Sequence, residues 1–241
     1  MNILAIETTG PLASAALLKD GLLSQKVNNT EYSHLEQIVP MTKVLLEECG
    51  AVPEALDAIA VSEGPGSFTG QRIGMATVKG LAQIWKKPVV SVPTLASFAY
   101  GNYSWMDTAK KYLLCPLFDA RRNQVYAGAF EFGSYVGVIE GAPYDFDEFI
   151  GKIKLVSSNY DEIIFFGDGS DAYIDKLNTL DFSYSIAPRE NRYQLAGSVV
   201  LLGEKLLAEG KVTTCYDSAP NYMREAEAER KLKEKKNGQN V

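Results

Sequence analysis

Residues 62–74, from Ser62 to Gly74, read S-E-G-P-G-S-F-T-G-Q-R-I-G. The segment follows a short apolar run, Ala58 to Val61, and opens a helical pattern that continues to Trp85. A strand, a glycine-rich turn and a helix start in that order leave backbone N–H groups free to meet an anion or a partner. Pro65 pre-sets its own φ and Gly66 supplies the positive φ of the next corner, so Gly64-Pro65-Gly66 is expected to form a type II turn. Ser67 or Thr69 is expected to cap the helix. Gly64, Gly66 and Gly70 are spaced one residue wider than the dinucleotide fingerprint. Gly70 is followed by Gln71 and Arg72, not by the Lys and Ser or Thr of a P-loop. Two readings stand: a tight turn packed by its glycines, or a ligand-binding loop of a less common kind.

Working outward, residues 2–7, 14–19 and 22–27 read as three strands, the last two joined by the hairpin signal Asp20-Gly21. Residues 33–49 carry apolar positions at helical spacing, with Pro40 expected to kink or restart the helix and Gly50 to stop it. Ser33 and Glu36 have capping-box spacing. Residues 58–61 form a central strand, 69–85 a helix and 88–92 a fifth strand, and Thr94 caps a helix to Tyr100. The order β-β-β-α-β-α-β-α then recurs. Strands are expected at 111–118, 124–132, 135–140, 163–166 and 183–187, and helices at 145–154, from the Gly167-Asp168-Gly169-Ser170 turn, and at 194–208. Residues 101–110 are the expected crossing between two lobes, 1–104 and 105–241. The tail, 224–236, mixes acids and bases in the manner of a solvated helix.

Composition narrows the chemistry. The chain has 241 residues, 46% hydrophobic and 22% charged, with a net charge of -6. That balance suits an ordinary globular protein and argues against a broad basic face that grips nucleic acid alone. No apolar run reaches the about 18 residues of a membrane span, and no signal peptide is recognisable. Cys49, Cys115 and Cys215 are too few and too scattered for a disulfide framework or a cysteine zinc site, which fits a reducing cytoplasm. His34 is the single histidine, so a two-histidine metal site is impossible, and a Ser-His or Cys-His pair would have to use it. Its place in a helix first turn leads us to expect it exposed.

Three segments together resemble one family. They are Ile3 to Ala16 (I-L-A-I-E-T-T-G-P-L-A-S-A-A), Ser62 to Ala82, and Pro220-Asn221-Tyr222-Met223-Arg224. In this order and spacing they are similar to the bacterial TsaB (YeaZ) family. The resemblance implies the α/β fold of actin, Hsp70 and sugar kinases (ASKHA), with two related lobes of five-stranded mixed sheets. It implies a cytoplasmic subunit of the machinery that places threonylcarbamoyl on N6 of the adenosine beside the anticodon, in tRNAs reading A-starting codons. Catalysis would belong to the paralogue TsaD, which carries a metal through His-x-x-x-His; TsaE, an ATPase, would complete the assembly, and tRNA would be reached only through it.

This chain has His34 and then Ile38 where the paralogue needs its second histidine. It is therefore expected to be non-catalytic and to require no cofactor, with an adenine nucleotide admissible in the complex. The cleft residues matched by resemblance are Glu7, Thr8 and Thr9 with Gly167, Asp168 and Gly169. Glu7 is one methylene longer than the magnesium-holding Asp of the fold, which points to a vestigial site. Function would then lie on the first two helices, through Ser33, His34, Leu35, Ile38, Thr69, Gly70, Arg72, Ile73, Ala76, Thr77 and Gly80. Their small residues let another helix approach closely, from TsaD or from a second copy. The rivals are a stand-alone ATPase or small-molecule kinase of the same fold, and a peptidase.

Overall fold

The computed structural model describes residues 1–28 and 33–224; the tail expectation beyond Arg224 lies outside them. The first half runs β1 (Ile3–Glu7), β2 (Ser14–Lys19), β3 (Leu22–Val27), α1 (His34–Glu48), β4 (Ala58–Gly64), α2 (Phe68–Trp85), β5 (Val89–Pro93) and α3 (Thr94–Ser97). The second runs β6 (Tyr112–Asp119), β7 (Gln124–Glu131), β8 (Gly137–Asp145), α4 (Phe146–Val156), β9 (Glu162–Phe166), α5 (Asp168–Ala172), α6 (Ile174–Leu177), β10 (Ser185–Ile186), α7 (Arg189–Arg192) and α8 (Ala196–Ala208).

The strands form two five-stranded sheets with one topology. The first is ordered β3-β2-β1-β4-β5 and the second β8-β7-β6-β9-β10. In each, the first three strands are antiparallel and the last two join in parallel. This is the duplicated unit of the actin-like (ASKHA) fold. Buried β1 and β4 carry the near-continuous apolar runs that a sheet covered on both faces requires. Helices α1 and α2 cover the outer face of the first sheet around Leu4, Ile6, Ile59 and Val78. Helix α4 covers the second around Phe146, Phe149 and Ile153. Between the sheets lies a shared core of Phe98, Phe118, Phe166 and the apolar side of α8. Helix α8, the last of the described helices, packs against β1, β2, β4 and β5 of the first sheet. It has no side-chain cap of its own; Ser14 Oγ and Gln25 Oε1 accept from its Ala196 and Gly197 N–H groups.

Several local expectations are corrected. The Gly64–Pro65 peptide is cis, and Gly66 has a φ of 156°, far from the about +80° of the expected type II turn, which does not form. The Ser33–Glu36 capping box does not form: α1 has no side-chain cap, and Ser33 Oγ accepts instead from Asn28 Nδ2 at 2.5 Å. Helix α1 runs unbroken through Pro40, which is exposed, so solvent can satisfy the carbonyl that loses its N–H partner. Thr94 caps nothing; its Oγ1 accepts from Gly64 N at 3.1 Å. Strand β8 begins and ends later than expected because it is an edge strand, where Gly141 and Pro143 are tolerated. By contrast the Asp20-Gly21 hairpin and the Gly50 stop form as read, with positive φ at all three residues.

The tightest contact is between α2 and the loop after β1. A Cβ built on Gly70 would lie 1.9 Å from Thr8 O, and one on Gly74 would lie 2.4 Å from Thr8 Oγ1. Gly70→Ala is therefore expected to destabilise the fold by ~3 kcal/mol or more. Gly80, with nothing within 4 Å of its Cβ position, is the control: Gly80→Ala should stabilise by ~1 kcal/mol through helix propensity. Urea unfolding of the two variants checks both signs.

Candidate interlobe site and helix face

Where the lobes meet, a cleft of about 530 Å³ opens between the β1–β2 loop, the start of α2 and the end of β6. Thr9, Gly10 and Ser67 line one wall, and Asp119, Arg121 and Asp168 the other. The glycine-rich segment forms part of it because Ser67 caps α2, its side chain accepting from Gly70 N at 3.2 Å, while Ser67 N donates to Thr9 O at 2.8 Å.

The six cleft residues expected from the resemblance divide. Thr9 and Asp168 line the cleft. Glu7 and Thr8 sit behind its wall, essentially without exposure. Glu7 accepts from Thr9 N and is hydrogen-bonded to Ser62 Oγ. Thr8 Oγ1 donates to Gly70 O at 2.7 Å. Gly167 and Gly169 pack on β6, where a Cβ would come within 2.0 and 2.9 Å of Leu117 O. Burial raises the Glu7 carboxyl above its usual range, the hydrogen bonds opposing it in part. Burial likewise raises Asp168, with hydrogen bonds from the Asp119, Asp168 and Gly169 backbone opposing it and the Asp119 carboxylate adding to it.

Among the cleft residues missed in the sequence are Asp119 and Gln194. Asp119 closes β6 as Glu7 closes β1, so the internal duplication carries the signal that could have found it. Gln194 is buried against Gly10, whose Cβ would lie 2.6 Å from Gln194 Cδ, and its Nε2 reaches Thr9 Oγ1 at 3.4 Å. No local pattern marks that role.

The helix-face residues divide as well. His34 is corrected from exposed to buried: its Nε2 lies 2.8 Å from Gly10 O, tying α1 to the cleft loop. Ile38 is fully buried and Gly70 faces Thr8, so neither belongs to an outer face. Leu35, Thr69, Arg72 and Ala76 are exposed, while Ser33, Ile73, Thr77 and Gly80 are half-buried. Leu35 is 71% and Val39 49% exposed, so α1 presents apolar surface to solvent one turn apart.

The structure also brings together the three segments that carried the resemblance. Asn221 N donates to Glu63 O at 2.7 Å, and the Tyr222 ring packs tilted by 31° on Phe68 with centroids 4.6 Å apart. Arg72 lies 4.0 Å over Phe68 and donates to Tyr222 OH at 3.0 Å. Arg224 crosses to the second lobe, donating to Ala120 O and Gln124 Oε1 at 3.2 and 2.6 Å.

A native carboxyl held above its unfolded value keeps its proton more readily when folded, so its contribution is complete at low pH and is lost as pH rises. Each pH unit of that difference removes about 1.4 kcal/mol at neutral pH. Relative to Glu7→Gln, which stays uncharged, the parent chain should lose stability as pH rises above the usual glutamate value of 4.5. Urea unfolding on either side of that value checks it, and a stability difference that does not move with pH would refute it.

Comparison with known proteins agrees with this geometry. The family model described as "TsaD: tRNA N6-adenosine threonylcarbamoyltransferase" matches residues 22–232. The tRNA threonylcarbamoyladenosine biosynthesis protein TsaB of Bacillus subtilis is 30% identical over 96% of this chain and 97% of its own length. The Escherichia coli protein of the same name is 29% identical over 96% and 98%. A solved structure described as an uncharacterized protein with similarity to peptidase YeaZ from Pseudomonas aeruginosa superposes with a TM-score of 0.74 at 25% identity, covering 92% of this chain and 99% of that one. With near-full-length identity to one TsaB and the fold of YeaZ, the chain belongs to the TsaB family of tRNA threonylcarbamoyladenosine biosynthesis proteins.

Proposed function

We propose that this chain is the non-catalytic, activating subunit of the cytoplasmic assembly that puts threonylcarbamoyl on N6 of the adenosine beside the anticodon. It acts by pairing with the transferase subunit TsaD through the outer faces of α1 and α2. The observation that carries the proposal is the solvent-exposed apolar strip of α1, Leu35 and Val39, together with the small exposed Ala76 on the neighbouring helix α2. Two such helices fit against the equivalent pair of a homologous partner in a four-helix arrangement. A second copy of this chain competes for the same surface, and TsaE joins the assembled pair. Binding that favours the partner's competent conformation raises its activity without any chemistry here.

The interior supports a scaffold over an enzyme. Glu7 and Thr8, which would serve magnesium and phosphate, are occupied by Thr9, Ser62 and Gly70. A peptidase would need His34 as base or ligand, but its Nε2 is engaged by the Gly10 carbonyl and its buried Nδ1 has no hydrogen-bond partner among the described residues, so neither a nucleophile nor an orienting carboxylate is bonded to it. A nucleotide is therefore not required by this chain itself.

Ala76→Arg places a charge on the exposed face and is expected to abolish co-elution with TsaD while leaving the unfolding midpoint unchanged; undiminished co-elution would sink the helix-face reading. In a reconstitution with tRNA, threonylcarbamoyl-adenylate, ATP, TsaD and TsaE, omission of this chain should abolish modified adenosine. The chain alone should neither modify tRNA nor turn over ATP with magnesium. Unchanged modification on omission would move the ATPase reading to the front.

A further inference from the structure

The β6–β7 hairpin turns through Arg121, Arg122 and Asn123 with φ of 64°, 56° and 61°, three successive non-glycine residues in the left-handed region. Such backbone is disfavoured for residues with a side chain and persists only where its surroundings enforce it. Here they do. Asp119 Oδ1 accepts from Arg121 N at 2.8 Å, and Phe146 N donates to Asn123 O at 2.9 Å. The Asn123 amide is held by Asp145 and Lys176 at 2.9 and 2.8 Å.

What this rigid turn offers outward is two guanidinium groups. Both arginines are exposed. Arg122 has no ion-pair partner among the described residues, and Arg121 has only a long contact of 3.6 Å to Asp119, with its own side chain 87% exposed. An ion pair that exposed is worth little. A third guanidinium lies near the same cleft wall, which also carries the carboxylates Asp119 and Asp168. Arg224 lies 5.3 Å over Tyr126, which shares the cleft wall with Arg121, and Tyr222 links Arg224 in sequence to Arg72. In a chain of net charge -6, two exposed guanidinium groups on one turn, with Arg224 bonded to Ala120 O beside it, are a local concentration of positive charge. Guanidinium groups on a fixed backbone bind phosphate oxygens in forked geometry and read no sequence.

We propose that the Arg121–Arg122 turn contacts the phosphodiester backbone of the tRNA, so that this chain supplies one electrostatic grip on the substrate although its charge as a whole is negative. The proposal deepens the scaffold reading and rests on it for the identity of the nucleic acid.

The test uses Arg121→Asn/Arg122→Asn in the full chain. Asparagine tolerates the left-handed region, so the turn is kept and only charge is lost. Fluorescent tRNA is titrated with the chain alone at low salt and with the chain–TsaD–TsaE assembly across a salt series. The double variant should bind about tenfold more weakly, with a salt slope shallower by about 0.9 for each lost phosphate contact. Its circular dichroism and its co-elution with TsaD should match the parent. Equal affinity and slope would overturn the proposal, as would a loss of affinity accompanied by loss of co-elution, which would assign the turn to the protein interface. Should the parent itself fail to co-elute with TsaD, the scaffold reading falls. The titration of the chain alone still decides whether these arginines hold RNA.

Discussion

The approach of α2 to the β1–β2 loop governs the first lobe. Thr8 O stands where a Cβ on Gly70 would be, and Thr8 Oγ1 bonds back to Gly70 O. A loop that might have turned hydroxyls and a carboxylate toward a phosphate spends them instead on its own framework. Glu7 is sealed with Ser62 and Thr9, and the cleft retains Thr9 as the loop's one hydroxyl. The glycines that suggested a ligand loop are the condition for this packing, since any side chain would force the helix off the sheet.

The same packing explains why α2 has two characters. Gly70, Gly74, Met75, Val78 and Ala82 are turned inward, and Thr69, Arg72 and Ala76 are left at the surface. A helix held so closely has a well-defined outer face, which suits a partner surface better than a mobile one would. The segment Pro220–Arg224 completes the arrangement: it returns from α8 to brace Glu63 and Phe68 before reaching the second lobe through Arg224. Three stretches remote in sequence thus form one structural unit around the cleft mouth.

The duplication orders the rest. With β1 and β6 equivalent, Glu7 and Asp119 occupy corresponding strand ends, yet one is buried and the other lines the cleft. The difference follows from the loops beyond them. Thr8 and Thr9, directly after Glu7, pack against the start of α2, whereas the β6–β7 turn is a tight left-handed corner that stays at the surface.

Periodicity, turn chemistry and composition determined the strands of the first lobe, the Asp20-Gly21 hairpin, the Gly50 stop, the repeated element order and the exclusion of a two-histidine site. These depend on neighbours within a few residues, or on residue counts, and so are legible in one dimension. Tertiary structure alone decided that His34 is buried on Gly10, that Ser33 pairs with Asn28 rather than capping α1, that Thr94 serves Gly64, and that Gln194 closes on Thr9. A hydroxyl, an imidazole or an amide can satisfy many partners, and which one it meets is fixed by which distant backbone group is brought within about 3 Å when the sheets and helices pack.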